Sequence, residues 1–182
     1  MKPDGDALGS CIGLYHYLGL YDKDNVCIIL PHRTQAYLNF LIDKGTQKKL
    51  LIHEDQPAKT EKTLSESDLI ICVDFNAFHR TDHLCSHLEE SGATKILIDH
   101  HLFPDSEKFD IVFSETEISS ASELLYQILM NMPQVSGDAT KLPLPAAISL
   151  MTGMTTDTNN FANSVYPSTL TMASTLLAAG VD

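Results

Sequence analysis

The sequence is poor in basic residues and contains no long apolar run. Of its 182 residues, 24 are acidic and 12 are basic, which gives a formal net charge of −12. This acidic surplus argues against a broad basic surface for long duplex nucleic acid. It leaves small phosphate-bearing ligands open, because divalent ions held by acidic clusters can bind phosphate in place of Lys and Arg. No apolar run approaches the ~18 residues of a membrane span and no secretory leader is visible, so we expect no membrane partner.

Cysteine is also scarce. The four cysteines are widely spaced and form no Cys-x-x-Cys pair: Cys11, Cys27, Cys72 and Cys85. Cys27 and Cys72 lie inside apolar, strand-like runs, where a free cysteine packs as a small hydrophobic side chain. We therefore expect reduced thiols and a cytoplasmic protein.

Short apolar runs alternate with helical patterns along the chain. This alternation predicts an α/β fold, a parallel sheet with helices on both faces, in one large domain with room for a small appendage. We predict strands over residues 26–30, 50–52, 69–74, 96–98 and 110–113. We predict helices over residues 7–20, 34–42, 78–89, 120–132, 145–154 and 168–179, and a polar connection over 54–67.

Two of the predicted helices carry more detailed signals. In the second helix, Tyr37, Leu38 and Leu41 fall on the face that we expect to point inward. Ser120 and Glu123 match a capping box, in which each side chain satisfies an unpaired backbone amide at the start of a helix. The sequence therefore predicts that the fourth helix begins at Ser120.

The strongest functional signal is a pair of buried strands that end in polar side chains. Asp99, His100 and His101 follow one apolar run, and Asp74 follows another. Ligands of open α/β sheets bind beyond the carboxyl ends of the strands. Adjacent strands would bring these side chains to one edge, and His with Asp suits Mn²⁺ or a related ion. The alternatives are a plain polar turn and, for Asp74, a helix cap.

Two further acidic stretches are candidate ligand sites. Asp4 and Asp6 come just before the first predicted helix, on a Gly-containing turn, and could both point toward one ion or two. The alternative is a turn with an Asp helix cap, a position that Asp favours. Asp157 closes the hydroxyl-rich stretch Gly-Met-Thr-Thr-Asp, which we predict as a loop after the fifth helix. Its alternative is an ordinary loop with no ligand.

Three histidines follow one another at helical spacing in the third predicted helix. His79, His83 and His87 lie at i, i+4 and i+8, and two histidines at i, i+4 can bind zinc. No acidic residue accompanies them in a zinc-hydrolase pattern, so a solvated helix face is the favoured interpretation. Arg80 in the same segment could reach a phosphate or pair with an acidic side chain.

Four motifs occur in a fixed order along nearly the whole chain. They are Lys-Pro-Asp-Gly-Asp-Ala-Leu-Gly-Ser, a strand ending in Asp, Ile-Asp-His-His and Thr-Thr-Asp-Thr. This set resembles the DHH phosphoesterase superfamily. The first motif most resembles the branch of oligoribonucleases (nanoRNases), pAp phosphatases and cyclic-di-AMP-related enzymes. The resemblance implies a metal-dependent hydrolase with two ions, normally Mn²⁺, with Mg²⁺ or Co²⁺ as substitutes.

The resemblance also implies a set of metal ligands. Asp4 would bind one ion, Asp6 would bind the other, and Asp74 would bridge the two. His100 and Asp157 would complete the shell of the second ion. Two ions ~3.5–4 Å apart can activate a water and stabilise both oxygens of an in-line displacement.

Two more residues would act on the substrate side of the reaction. The resemblance implies that His101 contacts the substrate phosphate or helps to protonate the leaving oxygen. Asp99 would orient a histidine from behind, as such carboxylates commonly do. Arg80 is the candidate contact to the substrate phosphate.

Two parts of such an enzyme fall outside the sequence. The histidine that opens the family's first motif, and the strand before it, would precede Met1. The DHHA1-type second domain, which grips the substrate, would follow Asp182. We therefore expect residues 1–182 to be the DHH domain of a longer enzyme, and the domain alone could lack activity.

The resemblance implies hydrolysis of short oligoribonucleotides, pApA-type dinucleotides or pAp to nucleoside monophosphates. The acidic net charge favours such small substrates over long polymers. One alternative is a non-catalytic nucleotide- or metal-binding domain, which the missing histidine favours. Another is a pyrophosphatase or exopolyphosphatase. The sequence pattern leaves the oligomeric state open, and a homodimer is one option.

Overall fold

Parallel strands build two sheets in the computed structural model, which describes residues 2–21 and 25–182. The strands are β1 Ile28–Leu30, β2 Leu50–Ile52, β3 Leu69–Val73, β4 Thr94–Asp99 and β5 Ile111–Ser114. β1 pairs with β2, while β3, β4 and β5 form a second sheet in chain order. Every pair is parallel. The predicted α/β class is confirmed, and β3 and β4 are adjacent as the site prediction requires.

Helices pack around both sheets. The described α-helices are α1 Gly5–Leu18, α2 Lys44–Lys49, α3 Pro57–Glu66, α4 Cys85–Glu90, α5 Ala121–Met130, α6 Leu144–Asp157 and α7 Pro167–Ala178. Short 3-10 helices cover Gly19–Tyr21, Ala36–Leu41, Phe78–Leu84, Ser106–Lys108 and Ala139–Lys141.

The three-stranded sheet is covered on both faces at β3 and β4, whereas the residues of the edge strand β5 are exposed. Cys72 and Leu97 point to one side, where they pack with Leu64 of α3 and with side chains of α4. The next residue along each strand, Val73 and Ile98, packs on the other side with α1, α5, α6 and α7. Alternate side chains of a strand point to opposite faces, so helices on both sides explain the apolar runs of β3 and of residues 96–98 in β4.

A groove of about 650 Å³ separates the two sheets. The segments that contain β1 and β3 form its walls, and α1 contributes apolar side chains, including Cys11 and Leu14. Asp4, Asp74 and Arg80 also line it. Since Asp74 follows β3 directly and Asp4 precedes α1, these charged residues lie where the groove reaches the carboxyl edge of the sheet.

Glycines let α1 lie directly against α6. A Cβ atom at Gly9 would come within 2.5 Å of the Ser149 carbonyl oxygen and 3.0 Å of the Gly153 nitrogen. One at Gly13 would meet the Leu150 side chain at 2.8 Å. This close approach sets α1, and the acidic residues at its start, against the C-terminal half of α6.

Two predicted elements differ in the structure. The predicted polar connection over 54–67 contains α3, whose Thr60 and Leu64 are buried one turn apart. The helix was not predicted because most of its residues are polar. The predicted helix over 34–42 is the shorter 3-10 helix Ala36–Leu41. Leu38 and Leu41 are buried there as predicted, but Tyr37 is 58% exposed, because a tighter helix rotates that side chain outward.

The helix predicted over 78–89 is also wrong as a single element. It consists of the 3-10 helix and α4, with a left-handed backbone at Asp82 (φ 54°) between regular segments. The three histidines therefore do not share one regular helix face. The sixth α-helix continues to Asp157, so Asp157 lies in its last turn and not in the predicted loop.

The capping box predicted for α5 is half present. The Ser120 hydroxyl accepts a hydrogen bond from the Glu123 backbone N–H at 3.0 Å, as predicted. The Glu123 carboxylate does not return the bond to Ser120. It accepts from the Ser119 amide at 3.2 Å, from the Ser119 hydroxyl and from the Thr169 hydroxyl at 2.7 Å. The buried carboxylate thus ties α5 to α7.

Within residues 2–21 and 25–182, the helices are too short or too polar to cross a lipid bilayer.

Candidate metal centre

The carboxyl ends of β3 and β4 bring four polar side chains together. Val73 is paired with Ile98 in the last step of the ladder. The backbone then turns sharply at Asp74, whose φ is 61°, while its N–H still donates to the Ile98 carbonyl at 3.1 Å. This conformation is unusual for a residue with a side chain. It ends β3 and leaves the Asp74 carboxylate beside the β4 end, where Asp99 and the two histidines follow.

Asp6 reaches the same place from α1. Its side chain is buried, and both carboxylate oxygens accept backbone hydrogen bonds from the start of α5, from Ala121 at 2.7 Å and from Ser122 at 2.9 Å. A helix N-terminus offers unpaired N–H groups and a favourable dipole to a carboxylate. The side chain of Asp6 is therefore fixed in orientation before any ligand binds.

His100 stands at the centre of the carboxylates. Its Nε2 atom is 3.5 Å from Asp74 Oδ1, 3.5 Å from Asp157 Oδ2 and 3.8 Å from Asp6 Oδ2. Asp6, His100 and Asp157 form one group of potential metal ligands, whose ligand atoms lie within 4.8 Å of one another. Asp74 and His100 form a second group with His101. The predicted ligands Asp6, Asp74, His100 and Asp157 thus lie together.

Burial gives these groups unusual proton affinities. It raises the pKa of Asp74 well above the usual range, with further increases from neighbouring Asp6 and Asp4. Burial also raises the pKa of Asp157, to about 7, and the pKa of Asp6. Burial lowers the pKa of His100, although nearby Asp6 opposes that change. Crowded carboxylates around an imidazole that favours its neutral form fit a divalent cation, which would relieve the repulsion.

His101 is held differently from His100. Its Nδ1 is 2.7 Å from Asp99 Oδ1, and its backbone N–H donates to Asp99 Oδ2 at 3.1 Å. Asp99 is fully buried, and its hydrogen bond raises the pKa of His101. Because Nδ1 is used by Asp99, Nε2 is the nitrogen left for a ligand. Nε2 can therefore face a ligand, either as a proton donor or as a metal ligand.

Asp4 and Arg80 lie at the border of the centre. The Asp4 carboxylate caps α1 through Oδ1, which accepts from Asp6 N–H at 3.1 Å and from Ala7 N–H at 3.0 Å. Asp4 is therefore the N-cap of α1, and its charge contributes to the raised pKa of Asp74. Arg80 lines the groove, and its positive charge opposes the increase in the pKa of His101 that Asp99 causes.

Sequence reasoning missed the contribution of α5. Nothing near Ser122 marks it as part of the site, yet its amide holds Asp6 and its hydroxyl lies 2.9 Å from the buried Ser10 hydroxyl. Gly153 packs against Ser122 so closely that a Cβ atom there would also approach Asp6 Oδ1 at 2.9 Å. The available signal was the set of glycines in α1 and α6, which can be interpreted as a close contact between two helices.

The fold and the centre define a class: an α/β protein with a candidate carboxylate–histidine metal site at the carboxyl edge of a parallel sheet. Residues 1–154 match the model of the DHH family, N-terminal domain. The chain belongs to the DHH family, whose members are phosphoesterases, as its motifs predict.

Curated relatives are consistent with this assignment. The chain is 27% identical over 192 residues to the cyclic-di-AMP phosphodiesterase GdpP of Geobacillus thermodenitrificans, which covers 99% of this chain and 27% of that protein. It is 30% identical over 171 residues to NrnA of Streptococcus mutans, a probable bifunctional oligoribonuclease and PAP phosphatase, covering 93% of this chain and 46% of NrnA. The chain thus spans less than half the length of both relatives.

Solved structures share the fold. An exopolyphosphatase-related protein from Bacteroides fragilis superposes with a TM-score of 0.88 at 36% identity, covering all of this chain and 51% of that one. A protein of Methanococcus jannaschii assigned to the family II inorganic pyrophosphatases gives a TM-score of 0.65 at 21% identity, covering 99% of this chain and 54% of that one. The second similarity concerns the fold alone.

Proposed function

We propose that the chain is the DHH domain of a manganese-dependent phosphoesterase that hydrolyses short oligoribonucleotides, pApA-type dinucleotides or pAp to nucleoside monophosphates. The observation that carries the proposal is the position of His100, whose Nε2 lies within 3.8 Å of three carboxylates. Structural ion pairs seldom gather that many like charges around one imidazole, whereas metal sites need them.

The proposed ions would share the side chains that converge at this edge of the sheet. Asp6, His100 and Asp157 would hold one ion, and Asp74 would bridge to a second ion near Asp4. Carboxylate and imidazole donors suit Mn²⁺, with Mg²⁺ or Co²⁺ as substitutes. Bound there, the ions would lower the pKa of a water and neutralise charge on the phosphate.

His101, Asp99 and Arg80 would act on the substrate. Asp99 orients the His101 ring and favours its protonated form, so that Nε2–H can donate to the phosphate or to the leaving oxygen. Arg80 would contact the phosphate from the groove, where a guanidinium can pair with two oxygens.

Charge and relatives together support small nucleotide substrates. The net charge of −12 disfavours a long polyanion. GdpP is a cyclic-di-AMP phosphodiesterase, and NrnA is named for oligoribonucleotides and PAP. We therefore propose a substrate of one or a few nucleotides, handled in the cytoplasm with no membrane partner.

A second candidate is a pyrophosphatase or exopolyphosphatase. The observation that favours it is the superposition on the exopolyphosphatase-related protein of B. fragilis at 36% identity. The same ions would serve, and only the substrate would differ.

The experiment is a substrate panel with the full-length protein and added Mn²⁺. It compares pAp, pApA, a five-nucleotide RNA, cyclic-di-AMP, pyrophosphate and a short polyphosphate. We expect AMP from pAp and from the short RNAs. Turnover of pyrophosphate or polyphosphate alone would establish the second candidate. Bound Mn²⁺ without turnover of any substrate would contradict both and favour a binding domain.

A further inference from the structure

A buried glutamate lies behind the metal centre, in the first turn of α5. Glu123 is fully buried, and its partners are hydroxyl and amide groups. Three donors converge on its Oε2 atom: the Ser119 amide at 3.2 Å, the Ser119 hydroxyl, and the Thr169 hydroxyl at 2.7 Å. Burying a carboxylate costs free energy that an apolar side chain of similar volume would not. The hydrogen bonds of Glu123 show which part of the fold it holds in place.

The first backbone amides of α5 are divided between two acceptors. A helix leaves its first N–H groups without partners inside the helix. In α5 the Ser120 hydroxyl accepts only from the Glu123 N–H, at 3.0 Å. The two preceding amides donate to Asp6 instead, Ala121 to Oδ2 at 2.7 Å and Ser122 to Oδ1 at 2.9 Å. The start of α5 thus holds both oxygens of one carboxylate of α1.

This pair of amides determines which oxygen of Asp6 can face a metal ion. Oδ1 lies against the Ser122 N–H, and a Cβ atom at Gly153 would approach it at 2.9 Å. Oδ2 is 3.8 Å from His100 Nε2, on the side of the other carboxylates. A carboxylate oxygen has two lone pairs, so Oδ2 can accept from Ala121 and still face an ion beside His100. Asp6 is therefore arranged to bind through Oδ2.

Glu123 fixes the residues that place these amides. Its Oε2 atom holds Ser119, which directly precedes the Ser120 cap, through both the amide and the hydroxyl. It also accepts from Thr169, whose hydroxyl oxygen accepts from the Tyr166 N–H at 3.1 Å at the start of α7. The turn before α5 is thus bound to the start of α7 through one carboxylate oxygen. A shift of that turn would break these bonds and move the two amides away from Asp6.

We propose that Glu123 is a positioning residue for the metal centre. It holds the start of α5 where the Ala121 and Ser122 amides present Asp6 Oδ2 to the ion. The inference rests on the proposed function, because it requires an ion bound by Asp6. Replacing a group behind a metal ligand typically weakens metal binding or activity 10- to 100-fold. Glu123 acts through a helix start and not by direct contact with Asp6, so we expect a loss of about tenfold in Mn²⁺ affinity.

The test measures the Mn²⁺ affinity of the full-length protein without substrate, from the paramagnetic resonance signal of free Mn²⁺. Glu123→Met fills the same space without an acceptor and should bind Mn²⁺ about tenfold more weakly. Glu123→Gln keeps an acceptor oxygen and should retain most of the affinity. Phe109→Leu is the control for lost stability: it reduces a buried side chain just before β5, at the opposite edge of the sheet, and should not alter Mn²⁺ binding.

Ala121→Pro tests the amide pair directly. Proline is favoured at the first position of a helix, and the preceding Ser120 has the extended backbone that a residue before proline prefers. The substitution should preserve α5 but remove the N–H that holds Asp6 Oδ2, so we expect Mn²⁺ affinity to fall about tenfold. Lys44→Pro is the matched control, because it places proline at the first position of α2, after the extended Asp43, and should bind Mn²⁺ like the wild type.

The outcomes separate this inference from the proposed function. Equal Mn²⁺ affinity in the wild type, Glu123→Met and Ala121→Pro would overturn the inference, as would an equal loss in Phe109→Leu or Lys44→Pro. A wild-type protein that binds no Mn²⁺ would overturn the proposed function, and this inference with it. Ala121→Pro decides the question where Glu123→Met folds poorly.

Discussion

In the proposed function, Asp99 would act on the reaction through His101. Its carboxylate is fully buried, and it binds both Nδ1 and the backbone N–H of the next-but-one residue. Such a partner fixes the ring and favours its protonated form. His101 should therefore lose its donor function gradually as the pH rises through a pKa above the ordinary histidine value.

We predict that Asp99→Asn lowers kcat by roughly ten- to hundredfold while the bound Mn²⁺ is unchanged. Asp99 raises the pKa of His101, so its replacement lowers that pKa, and activity should begin to fall at a lower pH than in the wild type. The measurement is the pH profile of kcat, with metal content as the control. An unshifted profile would show that His101 is not the titrating donor.

Asp157 should make metal binding depend on pH. Its pKa is raised to about 7 in the metal-free protein, mainly by burial and then by Asp6 and Asp4. A bound ion needs the ionised carboxylate, so Mn²⁺ affinity should increase as the pH rises toward 7 and binding should release a proton. Titration calorimetry in buffers of different ionisation enthalpy measures the protons released, and Asp157→Asn should reduce their number without abolishing the release, because burial also raises the pKa of Asp74 and of Asp6.

Asp157 should also make the stability of the metal-free protein depend on pH. The folded pKa of Asp157 lies above the ordinary value of 3.8, so the folded state binds more protons than the unfolded state between about pH 4 and 7. Its contribution therefore becomes less favourable as the pH rises through that window. We expect Asp157→Asn to flatten the decline in melting temperature between these pH values, and an unchanged decline would contradict the assignment.

At the scale of elements, the contact between α1 and α6 depends on Gly9. An added methyl group would meet backbone atoms of Ser149 and Gly153, which cannot move aside without shifting α6. We predict that Gly9→Ala lowers the free energy of unfolding by about 2 kcal/mol, because overpacking outweighs the gain in helix propensity. Urea denaturation measures this change.

Gly19→Ala is the matched control for that substitution. A Cβ atom at Gly19 would meet nothing within 4 Å, and its φ of −58° suits any residue. Its stability should be unchanged or slightly higher. A similar loss in both variants would mean that Gly9 matters for some reason other than the close helix contact.

At the scale of the whole molecule, the sequence predicted correctly those parts of the fold and of the candidate site that are marked by a strong local pattern. Buried apolar strands ending in Asp74 and Asp99 predicted the sheet edge, because a parallel sheet brings such ends together. The strand-end pattern and the two acidic stretches made His100, Asp6 and Asp157 candidate ligands, the family resemblance proposed their roles, and the structure places them around one point.

Elements determined by tertiary contacts could not be predicted. The polar helix α3 is stabilised by burying Thr60 and Leu64, a narrow stripe that composition concealed. The kink at Asp82 divides a segment with regular helical spacing. The hydrogen bonds between Asp6 and the start of α5 join residues more than a hundred positions apart, and no local sequence pattern indicates such a contact.

The two histidines that follow β4 have different expected functions. His100 faces three carboxylates and should hold metal, whereas His101 is bound to Asp99 and should serve the substrate. The most direct measurement is Mn²⁺ content together with hydrolysis of pAp and pApA in His100→Gln and His101→Gln of the full-length protein. We predict that His100→Gln loses metal and activity together, while His101→Gln keeps its metal and loses turnover. Loss of metal from His101→Gln, with a full complement retained in His100→Gln, would contradict the account.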